Sequence, residues 1–123
     1  MSIRVLLAED HKINRMMALG LLRSIGLNVE AAFDGADAVA MQLAEKFDCI
    51  LMDLQMPNLD GFEATRVIRA SGDTTPIIAL SSTITAEDKA KMLDVGMNGM
   101  LTKPIDIEAL KSALGNFVAD YTV

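Results

Sequence analysis

Five short apolar segments, each followed by a segment with helix-forming signals, constrain the fold of this chain more than any other feature. Three of them, at residues 4–8, 49–52 and 77–80, are apolar almost throughout. Such runs are typical of strands covered on both faces of a parallel sheet, whereas half-exposed strands alternate apolar with polar residues. The other two, at 28–32 and 99–102, are more broken. We therefore predict an α/β fold with these two strands at the sheet edges.

Helix-start and helix-stop signals lie between the apolar runs. Helices are predicted at about 12–25, followed by Gly26 in the position of a left-handed cap, and at about 36–45. Asp60 can cap a third helix that ends near residue 70, and Thr85 with Asp88 can form a capping box that opens a fourth, ending near residue 95. A last helix is predicted from one apolar stripe formed by Ile107, Leu110, Leu114, Phe117, Val118 and Tyr121.

The order of these elements is β-α repeated five times, which limits the possible topologies. With right-handed crossovers and helices on both faces, we predict one doubly wound, flavodoxin-like domain over 1–123, with parallel strands in the order 2-1-3-4-5. A length of 123 residues also favours one domain. In such sheets, ligands bind beyond the carboxyl ends of the strands, where the strand order reverses.

Polar side chains stand directly after four of the five predicted strands. Glu9 and Asp10 follow the first strand, Asp53 the third, Ser81 the fourth and Lys103 the fifth. Two carboxylates 4 Å apart repel by about 4 kcal/mol at an effective dielectric of 20, so the acids need a cation or a shared proton. Oxygen ligands without His or Cys favour a hard ion, best Mg²⁺.

A hard metal beside an amine and a hydroxyl suits phosphoryl chemistry. The metal and the amine neutralise phosphoryl oxygens, and the hydroxyl donates a hydrogen bond. An Asp can itself act as the nucleophile and become an aspartyl phosphate.

Composition argues against several other classes of function. The net charge is −6 and there are five aromatic residues, so direct binding to nucleic acid is not expected. The longest apolar stretch, residues 16–22, is far shorter than the roughly 20 residues that span a bilayer. The first ten residues lack the features of a secretory signal, and the single Cys forms no internal disulfide. We expect a cytoplasmic protein without membrane insertion.

The sequence resembles the receiver domain of two-component response regulators over its whole length. Four segments carry the resemblance: E-D at 9–10, M-D-L-Q-M-P-N-L-D-G at 52–61, P-I-I-A-L-S at 76–81 and L-T-K-P at 101–104. Each segment alone is common, but their order and spacing across five β-α units are very specific. The continuation F-E-A-T-R-x-I-R at 62–69 is most similar to receivers of hybrid sensor kinases or to single-domain receivers of phosphorelays.

The resemblance implies a function and a metal site. Asp53 would accept a phosphoryl group from a phosphohistidine on a sensor histidine kinase or a histidine phosphotransfer domain. Asp10, Asp53 and the backbone carbonyl of Gln55 would ligate Mg²⁺, with Glu9 acting mainly through water. The chain would catalyse only its own phosphorylation and dephosphorylation and is not expected to be an enzyme in the usual sense.

The resemblance also implies roles around the phosphoryl group. Lys103 would pair with the phosphoryl oxygens, and Ser81 would turn inward to hydrogen-bond to them. The peptide bond before Pro104 is expected to be cis, and Gln55 and Thr83 would tune how fast the aspartyl phosphate hydrolyses. Phosphorylation would shift an equilibrium that involves the fourth strand, the fourth helix, the fifth strand and the fifth helix.

Two positions depart from the family pattern. The aromatic switch residue of the family is replaced by Met100, and the position before it, often Asp, is Gly99. Methionine is flexible and can fill a gap vacated by Ser81, but it has no polar tip. We therefore expect a modest change on the fifth strand when the protein is phosphorylated.

Four other residues have simpler interpretations. His11 is predicted to lie at a helix start, with contact to the phosphoryl site or its donor as the alternative. Cys49 is predicted to be inert core packing. Met56 is interpreted as core filler, or alternatively as part of a partner-docking surface. Gly61 suits a flexible junction between loop and helix.

Three alternative functions are considered beside the receiver. The same fold can act as an interaction module without phosphorylation. A Mg²⁺-dependent phosphohydrolase would need a second acid or base beside Asp53, where Leu54 and Gln55 stand. A flavin-binding module would need a phosphate loop after the first strand, where Glu9 and Asp10 would repel the phosphate. No output domain is expected in this chain, which is either a stand-alone relay protein or a module of a longer one.

Overall fold

The computed structural model describes residues 3–119 and 121, and in this part of the chain strands and helices alternate. None of the described helices is long and apolar enough to cross a membrane. The strands are β1 (Arg4–Ala8), β2 (Asn28–Ala32), β3 (Cys49–Asp53), β4 (Ile77–Ser81) and β5 (Gly99–Thr102). The helices are α1 (Lys12–Ser24), α2 (Gly35–Glu45), α3 (Gly61–Ala70), α4 (Ala86–Val95) and α5 (Ile107–Phe117).

All five strands are parallel and form one sheet in the order β2-β1-β3-β4-β5, as predicted. The register pairs Asp53 with Leu80 and Ser81 with Thr102. The predicted strands 49–52 and 77–80 are each one residue longer in the structure, because Asp53 and Ser81 are still paired with their neighbouring strands. Both polar residues are therefore held by the sheet itself rather than by a loop.

The core has two layers, one on each face of the sheet. Ile50 and Met52 of β3 face the layer that includes buried residues of α2, α3 and α4. Cys49 and Leu51 face the layer that includes residues of α1 and α5. Since both faces are covered, the central strands need apolar residues at every position, which explains the continuous apolar runs.

Every described helix begins at a side chain that accepts a hydrogen bond from the backbone N–H three residues later. The capping residues are His11, Asp34, Asp60, Thr85 and Asp106. Such caps satisfy one of the free N–H groups of the first turn. The predicted caps of α3 and α4 are confirmed, including the reciprocal capping box of Thr85 and Asp88.

The end of α5 differs from the prediction. The apolar stripe predicted a helix that includes Val118 and Tyr121, but α5 ends at Phe117 and Val118 is extended, with φ −109° and ψ 112°. Gly115 and Asn116, both poor helix formers, lie in the last turn and weaken its continuation. Val118 and Tyr121 nevertheless pack against the same core layer as α5. The periodic pattern therefore identified burial correctly and helix length incorrectly.

Candidate functional site

The carboxyl ends of two strands, β1 and β3, bring three acids together. Asp53 is the last residue of β3, and Glu9 and Asp10 follow β1. One carboxylate oxygen from each residue lies within 4.8 Å of the other two. Asp53 and Glu9 are buried, with 4% and 2% of their surfaces exposed, whereas Asp10 is exposed. The site is therefore an acidic pocket whose outer wall is open to solvent.

Lys103, which follows β5, closes one side of this pocket. Its Nζ donates hydrogen bonds to Glu9 Oε1 at 2.7 Å and to Asp53 Oδ2 at 2.9 Å. Burial acts to lower the pKa of Lys103, but the hydrogen bonds and charges of Glu9 and Asp53 outweigh it, so the pKa is raised. The amine is therefore a firmly charged ammonium at neutral pH.

The donor set of the pocket fits a small hard cation. Three carboxylates and one ammonium leave two negative charges uncompensated when all groups are ionised. The second oxygen of Asp53, Oδ1, accepts a hydrogen bond from the backbone N–H of Gln55 at 3.1 Å. Carboxylate and carbonyl oxygens with access to water are the ligands that Mg²⁺ prefers. The residues present therefore suit Mg²⁺ and offer no soft ligand for a transition metal.

Ser81 is buried at the end of β4, and its hydroxyl forms hydrogen bonds with the backbone of the following loop. Its Oγ donates to the carbonyl of Thr83 at 2.7 Å and accepts from the N–H of Thr83 at 3.3 Å. The side chain of Thr83 is exposed.

Gly61, the first residue of α3, lies against the carboxyl end of β3. Its N–H donates to the carbonyl of Leu54 at 3.2 Å, and a Cβ at this position would collide with the backbone carbonyl of Asp53. The sequence suggested a flexible junction, but the structure gives Gly61 a packing role. The absence of a side chain lets α3 approach the end of β3 closely.

The two unusual positions of β5 have separate environments. Met100 of β5 is 42% exposed to solvent. A Cβ at Gly99 would lie 2.6 Å from Cε2 of Phe117, because the ring of Phe117 covers this part of β5. An aspartate at this position would therefore displace the ring, which gives the departure from the family pattern a steric reason.

Two grooves border the acidic pocket. One, of about 560 Å³, runs between α1 and the segment after β5 and is lined by Asn14, Met17, Ala18, Leu21, Ser82, Lys103, Pro104 and Ile105. The Lys103–Pro104 peptide bond in its wall is cis. The other, of about 480 Å³, lies between the β3–α3 loop and α4, and its lining includes Asp10, Gln55, Ser81 and Lys91. A ligand can therefore approach the pocket from two sides.

The remaining residues singled out from the sequence lie at the edge of the site or away from it. His11 is exposed, and its Nδ1 accepts the N–H of Asn14 at 3.4 Å at the start of α1. Met56 is buried in the core layer beside α3. Cys49 is fully buried, and burial, together with the charge of Asp48, raises the pKa of its thiol to about 12. Cys49 is therefore inert, as predicted.

Two residues that support the Glu9–Asp10 segment, Arg15 and Phe33, were not predicted from the sequence. Arg15 donates from Nη1 to the carbonyls of Glu9 and Asp10, and its guanidinium stacks on the ring of Phe33. The available signal was spacing, since Arg15 is one helical turn into α1 and so faces the loop before it. Phe33 gave no such signal, because its partner is distant in the sequence.

Comparison with known proteins agrees with this geometry. The family model for the response regulator receiver domain matches residues 5–115. Sensor histidine kinase RcsC of Salmonella typhi is 37% identical over 110 residues, which are 89% of this chain and 12% of that protein. The chain thus spans about an eighth of the length of this relative.

Two solved structures show the same fold in informative states. The receiver domain of sensor histidine kinase PA1611 from Pseudomonas aeruginosa, solved with magnesium coordinated in its active-site cleft, is 37% identical, with a TM-score of 0.88 over 98% of this chain and 100% of that one. The co-crystal of the Saccharomyces cerevisiae phosphotransfer protein Ypd1 with the receiver domain of Ssk1 matches at 31% identity, with a TM-score of 0.81 over 98% of this chain and 94% of that one.

The fold and the strand-end site define a receiver domain of two-component and phosphorelay signalling. The chain belongs to the response regulator receiver domain family.

Proposed function

We propose that this chain is a phosphoacceptor in which Asp53 takes a phosphoryl group from a phosphohistidine in a Mg²⁺-dependent reaction. The observation that carries the proposal is the convergence on one buried carboxylate of a charged lysine and two further acids. A buried Asp beside an ammonium and a cation site is equipped to attack phosphorus and to offset the charge that results. On this proposal, residues 1–123 form one receiver domain that acts in the cytoplasm.

The transfer itself forms one bond and breaks one. A carboxylate oxygen of Asp53 attacks phosphorus while the bond between phosphorus and the histidine nitrogen breaks, and the electron pair leaves with the imidazole. Asp10, Asp53 and the carbonyl of Gln55 would hold Mg²⁺, which supplies charge neutralisation for the phosphoryl oxygens. Lys103, now 2.9 Å from Asp53 Oδ2, would pair with those oxygens after transfer.

The structure also favours a particular role for Glu9. One of its oxygens accepts from Lys103 at 2.7 Å, and the other accepts the N–H of His11 at 3.2 Å. Glu9 therefore connects Lys103 to the start of α1. We propose that it holds the ammonium near Asp53, in addition to contacting the metal through water.

A switch step follows from the position of Ser81. Once a phosphoryl group stands on Asp53, the hydroxyl would leave the carbonyl of Thr83 and donate to a phosphoryl oxygen. This rotation removes a hydrogen bond from the segment between β4 and α4 and so changes the start of α4. Gln55 and Thr83, both exposed beside the pocket, would control access of water to the aspartyl phosphate.

The partner that donates the phosphoryl group would dock beside α1. Ile13, Met16 and Met17 of this helix are 61%, 61% and 66% exposed, and Met17 lines the groove that Lys103 and Pro104 border. Exposed apolar side chains next to a reactive pocket are typical of a protein-docking surface. The partner of the related Ssk1 receiver is the phosphotransfer protein Ypd1, so we propose a sensor histidine kinase or a phosphotransfer domain here.

The main alternative is an interaction module that works without phosphorylation. Incubation with acetyl phosphate and Mg²⁺, followed by intact-mass measurement, separates the two functions. We expect one added phosphoryl group, none without Mg²⁺, and none in Asp53→Asn. Asp48→Asn, which changes an acid at the opposite end of β3, is the matched control and should be labelled like the parent. Unreduced labelling of Asp53→Asn would refute the assignment, and no labelling of the parent would favour the alternative.

The metal site has its own test. Ligating carboxylates must be deprotonated, so replacing one weakens the metal affinity directly. We expect Asp10→Ala to bind Mg²⁺ at least tenfold more weakly than the parent in calorimetric titration. An Asp10→Ala protein with parental affinity would refute the proposed ligand set.

A further inference from the structure

The loop that carries Glu9 and Asp10 is held from outside the acidic pocket by one guanidinium. Nη1 of Arg15 donates to the carbonyl of Glu9 at 3.1 Å and to the carbonyl of Asp10 at 3.2 Å. Both carbonyls belong to the segment that bears two of the three carboxylates. Arg15 therefore restrains the backbone of that segment without touching a carboxylate.

The guanidinium is in turn held by an aromatic ring. The ring of Phe33 lies 4.1 Å from the guanidinium carbon, within the range of a cation–π contact. Phe33 is 59% exposed, so the stacked pair lies at the surface of the protein. Its backbone N–H donates to Asp37 Oδ2 at 3.1 Å, which connects the backbone of Phe33 to the first turn of α2.

We propose that Arg15, stacked on Phe33, is a positioning residue that fixes the Glu9–Asp10 segment and so preorganises the exposed carboxylate of Asp10 for the metal. The inference rests on the metal site of the proposed function. A ligand on an ordered loop loses less conformational entropy when the cation binds, and partners outside the ligand set commonly influence metal affinity in this way.

Whereas positioning by Arg15 would raise the Mg²⁺ affinity, the positive charge of Arg15 would lower it. A guanidinium near the pocket repels a divalent cation, so a purely electrostatic role predicts that its removal tightens Mg²⁺ binding. Positioning predicts that loss of the stacked geometry weakens binding even when the charge is kept. The two roles therefore predict different changes in Mg²⁺ affinity: tighter binding when the charge is removed, and weaker binding when the stacked geometry is lost.

Two charge-conserving variants separate the roles. Phe33→Ala removes the ring and keeps Arg15, whereas Arg15→Lys keeps the charge but loses the planar group that stacks and donates to both carbonyls. In calorimetric titration with Mg²⁺ alone, we expect both variants to bind about tenfold more weakly than the parent. If both variants bind Mg²⁺ with the parental affinity, the proposal is wrong and Arg15 affects the site only through its charge.

Matched controls come from exposed residues that line neither groove beside the pocket. Leu93→Ala removes an 80% exposed apolar side chain of α4, and Arg66→Lys alters an exposed arginine whose contact with Asp94 is 3.7 Å long. Both should keep parental Mg²⁺ affinity. If they weaken binding as much as Phe33→Ala does, the effect is a general loss of stability and the proposal fails.

A second readout needs no metal. The N–H of His11 donates to Glu9 Oε2, so its hydrogen exchange reports how well the segment is ordered. In the metal-free protein we expect this amide to exchange several-fold faster in Phe33→Ala, with core amides of β3 unchanged. Parental exchange would overturn the proposal. If this amide responds but Asp10→Ala leaves the Mg²⁺ affinity unchanged, the proposed metal site is at fault and the positioning of the segment is not.

Discussion

At the scale of single residues, the pocket is a compromise between burial and charge. Glu9 and Asp53 have side chains only 3% and 6% exposed, and each would be costly as an isolated carboxylate. Lys103 reduces that cost by contacting both. On the proposed function, the group that makes burial of Asp53 tolerable is the same group that would compensate the phosphoryl charge.

Replacement of Lys103 is expected to destabilise the protein in a metal-dependent way. Lys103→Met leaves two buried carboxylates unpaired, which we expect to cost about 3 kcal/mol of unfolding free energy at pH 7 without metal. Mg²⁺ bound at the proposed site would stabilise only the folded state and should recover much of this loss. Urea unfolding with and without Mg²⁺ measures both values, and Lys89→Met on the exposed surface of α4 is the control.

The pH dependence of this contribution follows from the direction of the shift. Because the pKa of Lys103 is raised in the folded state, its stabilisation is fully present below the ordinary lysine pKa and is lost as the pH rises through the folded value. The difference between parent and Lys103→Met should therefore persist at pH 7. A Lys103→Met protein as stable as the parent without metal would contradict this view of the pocket.

At the scale of elements, a buried polar link joins α2 to the connection between α3 and β4. The amide nitrogen of Gln42, a fully buried residue of α2, donates to Asp73 Oδ2 at 2.8 Å and to Thr75 Oγ1 at 2.9 Å. Its oxygen accepts the N–H of Phe47 at 3.0 Å. The side chain of Asp73 is only 5% exposed and also contacts Lys46 at 3.4 Å.

This link makes a specific contribution to acid stability. Burial acts to raise the pKa of Asp73, but hydrogen bonds from Thr75 and Gln42 and the charge of Lys46 lower it to about 2, from an ordinary 3.8. A lowered pKa stabilises the folded state above the ordinary value and loses that effect as the pH falls from about 4 to about 2. The shift corresponds to about 2 kcal/mol at neutral pH.

We therefore expect Asp73→Asn to lower the unfolding free energy by about 2 kcal/mol at pH 7 and by much less near pH 2. Urea unfolding at several pH values measures the difference. The matched control is Asp94→Asn, because Asp94 is 78% exposed and its contact with Arg66 is weak. A difference that stays constant down to pH 2 would show that Asp73 acts through shape rather than charge.

The sequence predicted well those features that a local pattern specifies. It predicted poorly those that depend on contacts between residues far apart in the chain. The buried strands and the caps at Asp60 and Thr85 are local signals; the caps were correct, and the strands were correct to within one residue. The convergence of the strand-end side chains also follows from topology alone. Gln42 and Asp73 are 31 positions apart, and no local sequence pattern predicts their hydrogen bond.

Some side-chain contacts inside the site were also not predictable from local sequence. The position of Ser81 was predictable from the end of β4, but the partner of its hydroxyl was not, because rotamers depend on the surrounding loop. The packing of Phe117 on Gly99 depends on where α5 crosses β5, which the periodic pattern does not contain. Local sequence thus specifies which residues reach the site, and tertiary packing specifies what each one contacts.

At the scale of the whole molecule, phosphorylation of Asp53 could alter the structure beyond the site, as far as β5. Ser81 and Thr102 are paired across β4 and β5, so the site and the outer strand are connected through the sheet. In receivers with an aromatic switch residue, the ring moves inward behind the hydroxyl residue. Here that position is Met100, which is 42% exposed, and the ring of Phe117 covers the neighbouring Gly99 on β5.

These features predict a response confined to one side of the molecule. Ordering a methionine side chain costs up to about 2 kcal/mol of conformational entropy, and it has no polar tip to gain a hydrogen bond. Because a ligand shifts an equilibrium only by its differential affinity, little free energy is available to move Met100 inward. Phosphorylation should therefore reorder the segment 81–85 and the start of α4 while leaving β5 nearly unchanged.

Amide chemical shifts measured with and without beryllofluoride, a phosphoryl mimic, test this prediction. We expect large changes at Ser81–Thr83 and clearly smaller ones at Gly99–Leu101. The matched variant is Met100→Tyr, which restores an aromatic ring and a polar tip and should enlarge the response of β5. Equal changes in both segments of the parent would refute the prediction. A confined response suits a relay, because a partner that exchanges phosphoryl groups reads the Asp53 pocket itself and needs no signal on the far face.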